Sequence, residues 1–158
     1  MPSRYHALEW YMERIGRITY SQEHRLGPFS YDGPAALYAA LIVGGFLSAD
    51  TPLGDLSDLY LYEGQLLQPI RYHNIQKGDV FLSAQGEEVA HAGMVLDRFT
   101  VIQCSEALGG INRSPIYGYV GPKPTHWYRL ALPHQVRVNQ VFRHFFDESS
   151  GDLANELN

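Results

Sequence analysis

The sequence predicts an α+β fold, with helices leading and an antiparallel sheet following. Three observations carry this. Residues 34–43 form an unbroken apolar run, opened by Asp32-Gly33-Pro34 and closed by Gly44-Gly45. From residue 69 onward the pattern changes to short apolar segments separated by turn residues. A chain of 158 residues, 45% of them hydrophobic, is long enough for one domain with a real core.

Taken in order, residues 4–16 read as a first helix. Leu8, Tyr11, Met12 and Ile15 recur at helical spacing and Gly16 can stop it. An irregular loop rich in Arg, Gly and Pro runs from Tyr20 to the central helix. Pro34 suits the first turn of that helix, because its missing N–H would go unpaired there anyway. The helix is apolar nearly all round, which predicts burial. Residues 53–62 suggest a short second helix closed by Gly64. Predicted strands are 69–72 at an edge, 80–82 after the turn Gln76-Lys77-Gly78-Asp79, 90–97, 99–104 and 127–132, about five in all, with Gly109-Gly110 as a turn.

Composition narrows the function. Net charge is −5 with no basic cluster, which argues against a nucleic-acid partner. No apolar run approaches the ~18 residues of a membrane span. The N-terminus MPSRYHALEW lacks the apolar core of a signal peptide. The single cysteine, Cys104, excludes an internal disulfide and a cysteine-based zinc cage. The seven histidines show no ligand spacing, so neither metal nor cofactor is expected. The 11 tyrosines, with Trp10 and Trp127, suit a core or a cleft that takes sugars or peptides.

A buried helix that opens beside a polar loop can do chemistry. Its free N–H groups and dipole stabilise an anion such as a thiolate. The same layout also occurs with no chemistry at all. His91, at the start of a strand, has the same two readings, structural residue or general base.

The segment from Tyr20 to Phe46 resembles the catalytic segment of phage endolysin amidases and endopeptidases related to the NlpC/P60 cysteine peptidases. Tyr20-Ser21, Arg25, Gly27-Pro28, Ser30-Tyr31-Asp32 and Tyr38 match that pattern. His91-Ala92-Gly93-Met94-Val95-Leu96-Asp97 resembles the motif that holds the family's general base. The resemblance covers about residues 7–132. It implies a papain-like fold, with N-terminal helices packed on a small curved sheet, and a hydrolase of peptidoglycan. By the resemblance His91 is the base, Ser105 falls on the residue that orients it, and Gln103 falls on a family histidine. Tyr20, Arg25, Tyr31 and Asp32 are the implied substrate-binding residues. The nucleophile does not match: the family's cysteine falls on Gly33, and the next two serines fall on Pro34 and Ala35.

The resulting expectation is an inactive relative of a phage peptidoglycan hydrolase, with residues 1–132 as the lysin-like domain and 133–158 as an extension and tail. Gly33 should sit at the helix N-terminus with His91 facing it across a short gap. The partner would be a peptidoglycan fragment or a protein, met from a bacterial or phage-infected cytoplasm or after release to the wall. Two alternatives stay open. One is an active hydrolase with a displaced nucleophile such as Cys104, or an engineered knockout. The other is a phage structural or interaction protein using Val136–Phe146 as its contact. The family's loop before the base is replaced here by the shorter, acidic 83–88.

Overall fold

The computed structural model describes residues 1–83 and 90–132. The expected extension at 133–158, the Val136–Phe146 contact and most of the acidic 83–88 loop lie outside the described residues. The element order is α1 (Arg4–Met12), β1 (Thr19–Tyr20), β2 (Ser30–Tyr31), α2 (Gly33–Val43), α3 (Leu56–Tyr60), β3 (Leu67–Ile70), a 3₁₀ turn (Tyr72–Asn74), β4 (Val80–Ser83), β5 (His91–Val95), β6 (Thr100–Ser105), β7 (Gly110–Pro115) and β8 (Thr125–Leu130). The strands form one sheet in the order β2-β1-β7-β6-β5-β4-β8-β3. Every pairing is antiparallel except β1 with β2.

The α+β class and the buried central helix are as the sequence predicts. Residues 33–41 of α2 are buried apart from Ala39, which is half-buried. The helix packs on one face of the sheet, against Val80, Leu82, Ala92, Met94, Ile102 and Cys104, and α1 packs beside it. The opposite face carries a smaller core of Phe81, Val95, Val101 and Trp127, closed by Ile75 and Val120. Because successive strand residues point to opposite faces, each strand of the sheet's middle is buried on both sides.

The sheet has eight strands where the sequence predicts about five. Gly110–Pro115 is a strand, although its composition, GINRSP, has little β propensity; it pairs along all of β6, so tertiary pairing overrides propensity. The two-residue strands β1 and β2 are too short for any alternation to show. Helix α1 stops at Met12, earlier than predicted, and residues 13–17 continue as turns. Among the described residues no helix is long and apolar enough to cross a membrane.

Candidate functional site

Helix α2 begins at a tightly bonded corner. Asp32 is its N-cap, and Oδ1 accepts from the N–H of Ala35 at 2.9 Å. Oδ2 accepts from Arg25 Nε at 2.7 Å. The Arg25 guanidinium also donates to the carbonyl oxygens of Leu53 (3.2 Å) and Gly54. Arg25 therefore ties three segments together: its own loop, the helix start and the approach to α3. Both partners are mostly buried, so this pair is a fastening of the framework as well as a charge beside the site. Tyr31 is buried and meets Trp10 edge-on, with ring centroids 5.4 Å apart. Tyr20 lies on the neighbouring strand. Its hydroxyl is harder to ionise than an ordinary tyrosine, through burial first and then the negative charge of Asp32.

Gly33 is the first residue of α2 and is buried. A Cβ built on it would lie 3.3 Å from each of three backbone atoms: the Ala90 oxygen, the Ala92 nitrogen and the Cys104 oxygen. The first two flank His91. The structure thus sets Gly33 against the backbone at the start of β5, and the missing side chain would point between β5 and β6.

The helix N-terminus offers fewer donors than its sequence position suggests. The Ala36 N–H bonds to the Asp32 carbonyl at 3.1 Å, and the Ala35 N–H bonds to the Asp32 side chain. Pro34 has no N–H. Among the described residues this leaves the Gly33 N–H as the one first-turn donor that could meet an anion, so the expected cluster of free donors is reduced.

His91 opens β5 and pairs with Ser83 of β4. Its ring packs under the backbone of Gly121: a Cβ there would lie 2.5 Å from the His91 Cδ2 and 3.1 Å from the Ser83 Oγ. Gly121 has φ +86°, a second reason for glycine. The Ser83 hydroxyl donates to the Pro122 carbonyl, which holds the covering loop in place.

Ser105 ends β6 and is buried. Its Oγ accepts from the Leu108 N–H at 3.2 Å, closing the turn into β7. Gln103 occupies a more telling place. It pairs with Gly93, two residues from His91 on the same strand, so both side chains leave the same face of the sheet. Gln103 is fully buried, and its Nε2 donates to Tyr119 O at 2.7 Å and to Ser114 Oγ at 3.2 Å. Its Oε1 has no hydrogen-bond partner among the described residues. His91 and Gln103 thus lie under one loop, at Gly121 and Tyr119. The signal for Gln103 is visible in the sequence as a lone amide between Ile102 and Cys104 in an apolar strand, since a buried amide must have partners.

Cys104 faces the other way. Its thiol is on the helix side and donates to Tyr31 O at 3.2 Å. Burial first, and then the charge of Asp32, push its pKa up to about 12. That thiol stays protonated and unreactive at neutral pH. The hydroxyls of Ser21 and Ser30 are both engaged with the backbone of His24. Among the described residues no group of His, Cys, Asp and Glu could hold a metal ion.

The chain matches the family of bacteriophage peptidoglycan hydrolases over residues 3–135. It is 29% identical over 132 residues to a lysin of Pneumococcus phage Dp-1; the match covers 79% of this chain and 42% of that protein, so the chain spans less than half the length of this relative. In fold it is similar to the P60 domain of an antigen from M. avium subspecies paratuberculosis, with TM-score 0.56 and 18% identity over 80% of this chain and 96% of that one. It is also similar to the peptidoglycan hydrolase RipB of Mycobacterium tuberculosis, with TM-score 0.57 and 16% identity over 82% and 67% of the two chains. The helix-on-sheet frame and the match along most of its length together make this chain a member of the bacteriophage peptidoglycan hydrolase family, with an NlpC/P60-type fold.

Proposed function

We propose that this chain binds peptidoglycan without hydrolysing it. The observation that carries the reading is the start of α2. Gly33 stands where the resembling lysins have their thiol, and the space for its Cβ is bounded by backbone on three sides. Without a nucleophile the covalent step of a cysteine peptidase is absent, and no tuning of pKa elsewhere replaces it. Pro34 adds to this by removing an N–H from the helix end, where an oxyanion would need donors. The retained parts are those that hold the frame: the Arg25–Asp32 fastening, the packed Tyr31 and the covered His91. Tyr20 and Arg25 border the old cleft and are our candidates for touching a peptidoglycan fragment, with Asp32 and Tyr31 supporting them. His91 takes the place of the base, and Gln103 is a better placed orienting group than Ser105, whose hydroxyl is committed to its turn.

The displaced-nucleophile reading finds no support at Cys104, which faces the opposite side of the sheet from His91. Purified Gram-positive cell walls test the proposal in two ways. The chain should co-sediment with the walls and should leave their turbidity unchanged. Clearing that is abolished by His91→Ala would make the chain an enzyme and overturn the reading. Failure to co-sediment would instead favour a protein partner.

A further inference from the structure

A groove of about 680 Å³ lies away from the corner of Gly33 and His91. Thr125, the first residue of β8, is level with His91 through Ser83; the groove opens at the far end of that strand, around Leu130. Its walls are fixed by backbone hydrogen bonds. The Ser3 N–H, at the head of α1, donates to the Gly44 carbonyl at 2.8 Å. The Ala131 N–H donates to the Leu66 carbonyl at 2.8 Å, which carries the pairing of β8 with β3 past Leu130. Phe46, Ile70, Leu130 and Leu132 supply apolar surface.

The charge in the groove is one-sided. Among the described residues Arg4 and Arg129 line it and no carboxylate does. Arg129 is already answered: Nε and Nη2 donate to the buried Asp79 carboxylate, and Nη2 also to the Asn74 carbonyl. Arg4 is not. Its stem packs against Gly78, where a Cβ would lie 2.7 Å from the Arg4 Cδ, and its guanidinium stands 5.4 Å from the centre of the Tyr5 ring. Among the described residues it forms no ion pair. An occupant that satisfies the groove therefore offers apolar side chains and a carboxylate together. A bare anion would leave the apolar wall wet, and a purely apolar ligand would cover the guanidinium without pairing it.

The chain carries such a segment just beyond the groove. Leu132, the last described residue, is part of the lining. After it, Val138, Val141, Phe142 and Phe145 recur at the spacing that gives a helix one apolar face. Glu148 follows Phe145 by three positions, which borders the same face. Phe142 can reach up to ~35 Å from Leu132 along an extended chain, ample for a groove that begins at Leu132 itself. A short tether holds its segment at an effective concentration on the order of millimolar, which favours it over a free partner of the same chemistry. We propose that this groove is the seat of residues 138–148 of the same chain, with Phe142 and Phe145 against its apolar wall and Glu148 paired with Arg4. The seat joins the C-terminal segment to the head of α1, and it holds whether or not the chain binds peptidoglycan.

The test is limited trypsin digestion of the full chain, read by intact mass at Arg137 and Arg143, the trypsin sites beyond Leu132. Cleavage there tracks the fraction of chains in which the segment has left its seat. Phe142→Ala combined with Phe145→Ala should speed both cuts at least about tenfold, while the chain up to Arg129 stays uncut and so reports a folded domain. Arg4→Gln and Glu148→Gln should each speed them about a few-fold, as a surface ion pair allows, and together no more than either alone. Phe99→Ala, exposed and outside the groove, should leave the rates unchanged. In the unaltered chain, nuclear Overhauser contacts should join the Ile70 methyl groups to the Phe142 or Phe145 ring. Absence of those contacts overturns the proposal, as do cuts equally fast in the unaltered chain and the double phenylalanine variant. Additive effects of Arg4→Gln and Glu148→Gln overturn it too. So does protection that rises with protein concentration, since the occupant is then a second copy.

Discussion

Putting a thiol back at position 33 should cost stability and restore almost no activity. In Gly33→Cys the new Cβ meets three backbone atoms at 3.3 Å, each a few tenths of an ångström too close. None is the end of a flexible side chain, so α2 itself must back away from β5 and β6. Overpacking of a core costs ~1–3 kcal/mol. Replacing glycine gains ~0.4–1 kcal/mol through the unfolded chain. The difference is a net loss of about 1 kcal/mol, or a fall of ~2–4 °C in Tm for a domain of this size. The new thiol would still lack donors for an oxyanion, because Pro34 has no N–H and Ala35 donates to Asp32. Each missing oxyanion donor is worth ~10²–10³ in rate. The expected order is no clearing of Gram-positive walls by Gly33→Cys and measurable clearing by Gly33→Cys combined with Pro34→Ser, Ala35→Ser and Ser105→Asn. Thermal melting and turbidity loss check both halves. A single variant that gains stability, or that clears walls within tenfold of the combined variant, would refute the reasoning.

Three other outcomes are expected. Cys104 should resist alkylation at pH 8 in the folded chain and react once it is unfolded. Because burial raises its folded pKa to about 12 from an ordinary value of 9.0, its contribution is fully present below about pH 9 and is lost as pH rises toward 12. The unfolding free energy of the unaltered chain should therefore fall by about 1.4 kcal/mol more than that of Cys104→Ala between pH 8 and pH 10, in urea titrations. Arg129→Met should cost about 3–5 kcal/mol in the same assay, since it leaves the fully buried Asp79 carboxylate without the guanidinium that donates to both its oxygens. Gly121→Ala should lower Tm by several degrees and shift the His91 ring resonances, since the new methyl group meets that ring at a backbone position with φ +86°; an unchanged His91 spectrum would show that the loop does not hold the ring.

How much of this was legible in the sequence depends on the range of the interaction. The central helix was legible because its signals are local: an apolar run, an N-cap at Asp32, a proline in the first turn and glycines at the end. Gly33 at the head of α2 belongs to the same local signal, whereas the face that the His91 side chain takes, shared with Gln103 and opposite the one that packs on α2, is set by strand register and was not legible. Strand β7 was not legible, because Gly110–Pro115 becomes a strand only through its partner β6. The choice between Ser105 and Gln103 was not legible either. Both leave the same face of β6, so linear spacing cannot separate them; the turn at Leu108 captures the Ser105 hydroxyl and the loop at Tyr119 holds the Gln103 side chain.

The changes at 33–35 make physical sense as a group. In the resembling lysins these positions are a thiol and two hydroxyls; here they are Gly, Pro and Ala, all buried. A buried polar group needs partners, and a catalytic site accepts poorly satisfied groups at a cost in stability. If, as proposed, the chain performs no reaction, nothing repays that cost. Glycine lets the helix end sit directly on the β5 and β6 backbone, proline presets the first turn, and alanine adds no polar atom. Arg25, Asp32, Tyr31 and Gly121 are different, because each holds two or more segments together whether or not a bond is cut. If the proposed inactivity holds, the retained residues serve the frame and the replaced ones served the chemistry. His91 then becomes the sharpest probe: if it serves only packing under Gly121, His91→Gln should leave wall binding intact, and a loss of binding at unchanged Tm would instead give it a ligand.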